Sequence, residues 1–309
     1  MAEEGANRRD RRRARRSDAR WAWLILLPAL LGLVLFLVGP FVLAVCLGFT
    51  NYRLNSPLPT RWVGLANYEL LFGEPKLVRA LLNNLTFAAV VVPVQTAMAL
   101  GLALLVDRSL RGMSVFRTCF FLPVVYPMAL VSAVWALIFA PGEVGVANHL
   151  LHVVSFGAWD TSTDFLRNEG LALPAIMVMS IWQGVGFQMV VMLAGLQGIP
   201  AVLYESAALD GAGAFRRFRH VTLPELRNAI IFVMMITTIF ALRLFDQVWI
   251  LTQGGPNDAT STMLYEAYTA SRERNQIGPA AAITVVFFVT VCSVALLQHL
   301  LVRQEREID

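Results

Sequence analysis

Six long apolar runs follow one another along the chain, near Trp21–Phe49, Ala80–Val106, Val115–Ala140, Leu171–Leu196, Ala229–Leu251 and Pro279–Val302. A helix of roughly 20 apolar residues crosses a hydrocarbon core, and each run reaches that length. The pattern predicts an all-α polytopic membrane protein with six transmembrane helices. Polar residues collect between the runs, and Pro93, Pro123 and Pro127 fall within them. Proline inside a span frees backbone carbonyls and kinks the helix. Such bends suit a structure that opens alternately to each side, and they serve equally as packing features.

Composition agrees with this reading. The 309 residues are 57% hydrophobic and only 15% charged, where a soluble domain carries about a quarter charged residues. The charge that remains is unevenly placed. With Arg8–Arg20 set inside and six spans alternating, 17 basic residues fall on the inner side, 7 on the outer side and Arg243 within a span. The excess of arginine on cytoplasmic loops places both termini, and the segment after the fourth span, in the cytoplasm. The net charge of +4 is therefore mostly an orientation signal that also suits anionic lipid. A nucleic-acid partner is not needed to explain it.

The first apolar run is about twice the length of a signal-peptide core and lacks a clear small-residue cleavage site, so it reads as an uncleaved helix. "LAVC" at Leu43–Cys46 only faintly resembles a lipoprotein signal. Cys46, Cys119 and Cys292 all lie in apolar runs. An odd number so placed is no disulfide framework, and they read as helix-packing residues.

Several chemistries are missing. Lys76 is the single lysine and no Gly-x-x-x-x-Gly-Lys-Ser/Thr phosphate loop exists, so this chain does not hydrolyse ATP by that route. His149 and His152 are three apart but have no third ligand near them, which argues against a metal. No serine nucleophile sits in a Gly-x-Ser-x-Gly turn. Catalysis by this chain alone is not expected.

One polar stretch does not read as an idle loop. "YESAALDGAGAFRRFRHVTLP", Tyr204–Pro224, is rich in helix formers and broken by glycines. Pro200 suits a first helical turn, Val202–Leu209 continues it, and Gly211 stands where a left-handed cap would end it. Gly213 loosens the join before Ala214–His220 restarts. Asp210 can accept bonds from turn N–H groups. The small residues Ser206, Ala207, Ala208 and Ala212 let another backbone approach. Arg216, Arg217 and Arg219 suit lipid headgroups or an acidic partner.

"ESAALDGA" followed by "FRHVTLP" resembles the EAA loop of ABC-importer permeases, with Glu205, Ala207, Asp210, Gly211, Ala212, Phe218, Leu223 and Pro224 in the matching positions. Ser206, Val221 and Asn228 depart from the usual residues, all mildly. "LLPALLGLVLFLVGPF", "VGLANYELLF", "LRGMSVFRTCFFLPVV", "SAVWALIFAPGEVGVANHLL" and "LFDQVWILTQGGP" extend the resemblance over nearly the whole chain after Arg20, to the first permease of the maltose and glycerol-3-phosphate type. The resemblance implies a type I ABC importer permease fold. Residues 1–20 would be a cytoplasmic tail and residues 21–79 the first span with an external or interfacial segment. A permease core would fill 80–302, with its coupling loop at 199–227, and 303–309 would be a second tail. It also implies a second, related permease, an ABC ATPase dimer that holds ATP and magnesium, and an external solute-binding protein, all acting on a sugar-like solute at a bacterial inner membrane. This chain itself would carry no cofactor. Substitution of Glu205 or Gly211 would uncouple transport.

Polar groups inside spans usually face a cavity or the bundle interior. Arg243 and Asp246 lie three apart, so they share a helical face. They read foremost as an ion pair, since buried charges need a partner, and alternatively as contacts for solute hydroxyls. Gln183 and Gln188 are five apart and should point in different directions. Gln183, beside Trp182, could meet a sugar by hydrogen bond and ring stacking, or both glutamines could bond across helices. Gln95 raises the same question. Gly254, Gly255 and Pro256 form an external turn. A rival reading is an ion-gradient transporter centred on Asp246, the one clear carboxylate within a span, although no inverted repeat supports it.

Overall fold

The computed structural model describes residue 23, residues 25–107 and residues 112–303. The basic tail Arg8–Arg20, with Arg108, Arg111 and Arg306, lies outside the described residues. Among the described residues the regular structure is helical apart from one antiparallel bridge between Thr50 and Trp62.

Among the described residues, five helices are long and apolar enough to cross a membrane. They are α1 (Ile25–Gly48), α3 (Pro75–Val106), α7 (Ala172–Gln197), the Arg227–Leu251 span and α13 (Ile277–Arg303). A short α2 (Ala66–Gly73) precedes α3. The sixth apolar run is not one straight helix. It divides into α4 (Met113–Val125) and α5 (Met128–Ile138), bent by 100° at Tyr126–Pro127. The Arg227–Leu251 span is also interrupted, into α10 (Arg227–Leu242) and α11 (Asp246–Leu251). Outside the spans lie α6 (Val146–Val154), α8 (Ala201–Leu209), α9 (Ala214–Arg217) and α12 (Met263–Arg272). Pro93 sits within α3, which continues through it.

A break within lipid strands backbone carbonyls that no water can satisfy. Side chains of neighbouring helices meet that need here. Gln183 of α7 donates to Tyr126 O at 3.2 Å, at the first break. Asn84 of α3 donates to Leu242 O at 2.8 Å and Thr262 to Leu244 O at 2.9 Å, at the second. The two bends are thus held open by polar groups from elsewhere in the fold.

Packing centres on α3 and α7. Ala99 and Ala103 of α3 are fully buried against Met189, Met192 and Leu193 of α7 and Val233 of α10. Phe87 and Val91 meet Ile176, Ile181, Leu242 and Val248 in a second cluster. Gly186 brings α4 onto α7, because a Cβ there would lie 1.9 Å from Phe120 O. Small residues that let helix backbones touch are the usual means of association where apolar burial gives no drive. Cys46, Cys119 and Cys292 correct the sequence reading: all three are free thiols on the outer surface of the chain rather than between its helices.

The segment from Asp258 to Arg274 is joined to α3 by polar contacts within the chain. Glu266, 1% exposed, accepts from Ser261 at 2.6 Å and faces Lys76 Nζ at 3.0 Å and Arg274 Nη2 at 3.5 Å. Lys76 also reaches Asp258 at 3.3 Å. Asn83 donates to the carbonyls of Asp258 and Ser261, at 3.0 and 2.9 Å.

Candidate functional site

Two places collect the residues singled out by sequence, and they differ in kind. The first is the polar segment between α7 and α10. Pro200 stands just before α8 in extended conformation, as its N-cap rather than within its first turn. The helix ends in a doubly bonded left-handed cap: Ala212 N donates to Ala207 O at 2.9 Å and Gly211 N to Ala208 O at 3.0 Å. That Schellman geometry needs a positive φ at the residue past the cap, and Gly211 supplies +73°. Ala207, Gly211 and Ala212 therefore define the turn through their backbones. Gly213 is extended and starts α9, which runs on through a wider turn at Phe218–Thr222. Tyr204 Oη and Thr222 Oγ1, 3.0 Å apart, tie the outgoing helix to the returning chain.

The faces of this element are open. Glu205, Asp210, Gly211, Leu223 and Pro224 are exposed, and Ala207, Ala212 and Phe218 are half-buried. The carboxylates of Glu205 and Asp210 meet no partner among the described residues, so the turn contact expected of Asp210 is not made. Leu209 is 90% exposed and Phe215 75% exposed. Sequence reasoning missed both, although a leucine and a phenylalanine inside a polar segment were the available signal. Water does not stabilise such side chains, and large apolar groups exposed in this way mark surfaces that meet protein or membrane.

The second place is a cavity of about 540 Å³ between α3, α7, α10 and both breaks. Gln183, Gln188, Arg243 and Asp246 all line it, together with Gln95, Gln247, Ser180, Thr237 and the apolar Phe87, Val91, Phe187 and Phe240. Gly184 leaves room for Gln95, whose Nε2 would lie 2.4 Å from a Cβ at that position.

Two expectations are corrected here. No ion pair joins Arg243 to Asp246 among the described residues, because the helix stops at Leu242 and restarts at Asp246. The three-residue spacing thus no longer describes one helical face. Both side chains are exposed and both border the cavity. Gln183 and Gln188, expected to diverge, border one cavity. Trp182 does not border it; its ring lies edge-on to Trp135 at 5.5 Å. Gln247 went unremarked in the sequence because its position beside a break was not legible there.

Residues 72–307 match the family described as binding-protein-dependent transport system inner membrane component. The chain belongs to that family of ABC-transporter permeases. It is 33% identical over 281 residues to the sulfoquinovosyl glycerol transport system permease protein SmoG of Agrobacterium fabrum, covering 90% of this chain and 89% of that one. It is 30% identical over 277 residues to the trehalose/maltose transport system permease protein MalF of Thermococcus litoralis, covering 89% and 91%. Among solved structures, a bacterial ABC transporter involved in the import of the acidic polysaccharide alginate has a chain with TM-score 0.80 and 23% identity, covering 94% of this chain and 99% of that one. That last likeness speaks for the fold.

Proposed function

We propose that the chain forms half of the pathway of an ATP-driven importer for a sugar or sugar-like solute, and that the Glu205–Pro224 element docks on a separate ABC ATPase. The observation that carries this reading is the rigidly capped helix pair that turns Leu209, Phe215 and unpaired charges away from its own chain. In this reading a second, related permease supplies the other half of the cavity and a solute-binding protein delivers the solute. ATP and magnesium reside on the ATPase dimer. Closure of the ATPases moves α8 and α9, and the cavity bordered by Gln183, Gln188, Arg243 and Asp246 turns from inward-facing to outward-facing. Both termini lie in the cytoplasm and the protein sits in the inner membrane. The sugar class draws on the relatives' named substrates and on the amide-rich cavity wall, which suits hydroxyl groups.

The unpaired Asp246 gives the gradient-driven alternative its one structural foothold, so the test separates the two. The complex is reconstituted in vesicles with ATP on the ATPase side, and sugar uptake is followed with and without protonophore and sodium ionophore. Uptake that needs ATP and survives collapse of both gradients is expected. Uptake that persists without ATP and stops with the gradients would overturn the proposal.

A further inference from the structure

Four glutamine amides border the cavity, at positions 95, 183, 188 and 247. Which end of an amide faces a partner is decided by what that partner can do. Gln183 Nε2 donates to Tyr126 O, a carbonyl that only accepts. Gln188 Nε2 donates to Thr237 Oγ1, whose own hydrogen goes to Val233 O at 2.7 Å. Gln247 Nε2 donates to Ser180 Oγ at 3.4 Å, and that hydroxyl gives its hydrogen to Ile176 O at 2.8 Å. Turning any of these amides over would set two acceptors against each other. One N–H of each of the three amides is therefore held on the protein, which fixes the amide's orientation and leaves its carbonyl oxygen unmet.

None of those oxygens receives a donor among the described residues. The case is sharpest at Gln188, which is 1% exposed and whose Oε1 is buried without a partner. Buried acceptors are nearly always satisfied, so such an atom beside a cavity points to a donor that arrives from it. Gln298 provides an internal control. It holds Thr238 at 2.7 Å in the same way and also leaves Oε1 unpartnered, but it does not border the cavity.

We infer that the carbonyl oxygens of Gln183, Gln188 and Gln247, Gln188 foremost, read hydroxyl donors on the passing solute, which is an uncharged polyhydroxylated molecule. This rests on the reading of the cavity as the pathway. An anionic solute would need donors, and three of the four amides each commit one of their two N–H groups to the protein while leaving the carbonyl oxygen unmet. Arg243 and Asp246 offset each other in formal charge. Gln188 is thus a specificity-determining residue, oriented by Thr237 as a positioning residue.

The complete importer in vesicles is offered a mixture of maltose, trehalose, N,N′-diacetylchitobiose and a digalacturonate, and accumulated solutes are identified by mass spectrometry. Monodeoxy analogues of the sugar that accumulates are then compared in the native complex and in Gln188→Met. A neutral sugar is expected to accumulate over the acidic one. At least one analogue should be carried about three- to tenfold less well by the native complex, as the loss of one hydrogen bond implies. Gln188→Met should carry parent and analogue alike, and selection by the binding protein cancels in that comparison. Thr237→Val, which lets the amide turn over, should lose the same discrimination and stands in if Gln188→Met does not assemble. Gln298→Met should keep it. Preference for the digalacturonate, or an analogue series ranked identically by native and variant complexes, would overturn the inference while the sugar-importer reading stands. If no sugar accumulates, that reading fails and this inference falls with it.

Discussion

Two polar interhelical segments on opposite sides of the spans handle polarity in opposite ways. The one from Asp258 to Arg274 is closed upon itself and upon α3. Thr260, Ser261, Thr262 and Glu266 are at most 1% exposed, Lys76 and Arg274 meet the carboxylate of Glu266, and Asn83 meets the carbonyls of Asp258 and Ser261. The segment from Ala201 to Pro224 has a comparably rigid backbone, yet leaves Glu205, Asp210, Leu209 and Phe215 open. A polar segment whose buried groups are met inside the chain holds the fold together. One whose backbone is fixed while its side chains are unmet is made for something outside the chain.

The largest effect should come from breaking the closed segment. Glu266→Ala leaves Lys76 and Arg274 facing a buried gap, and removal of one partner of a buried ion cluster costs about 3–5 kcal/mol. Solvent reaches both cations in part, so the lower end of that range is expected. It should appear as a fall in folded yield and in thermal stability in detergent. Next comes Gly186→Ala, whose Cβ would drive α4 from α7. Overpacking of this kind costs about 1–3 kcal/mol, and a lowered melting temperature with the ATPase still bound when cold would set it apart from a docking defect.

The open segment should behave in the reverse manner. Gly211→Ala forces a side chain into the left-handed region, at about 1 kcal/mol, and loosens the cap. Because that cap stands at the surface, the melting temperature should hardly change while ATPase recovery falls severalfold. The smallest effect concerns the loop at Asp160, whose carboxyl is held below the usual carboxylate range by the N–H of Ser162, at 2.9 Å, and then by its hydroxyl, at 2.8 Å. A lowered pKa means that this contact contributes fully above the ordinary carboxylate pKa and is lost as pH falls through the depressed value. Hydrogen exchange at the Ser162 amide should quicken only on strong acidification, while exchange in α8 stays as it was.

Much of this arrangement could be read from the order of residues. Runs of about 20 apolar residues placed the spans, and the glycine, alanine and proline spacing of Tyr204–Pro224 foretold two helices joined at a left-handed glycine. The bend at Tyr126 was half legible, since Pro123 and Pro127 marked it but cannot set an angle of 100°. The break at Arg243–Phe245 carries neither proline nor glycine. It is maintained by Asn84 and Thr262 from distant parts of the chain, so helical spacing misassigned Arg243 and Asp246 as a pair. The link from Lys76 to Glu266 likewise joins residues far apart in sequence, and no local pattern announces it. The cavity was the least legible part, because its wall is assembled from three long helices and two breaks.

The most direct measurement is the affinity of the purified ABC ATPase for the permease pair in lipid nanodiscs, native against Leu209→Glu. Leu209 touches almost nothing in its own chain, so the folded pair should survive the change within about 0.5 kcal/mol. If the open segment is the docking element, the dissociation constant should rise at least tenfold with the melting temperature of the pair unchanged. An unaltered dissociation constant would contradict the claim that this segment meets the ATPase.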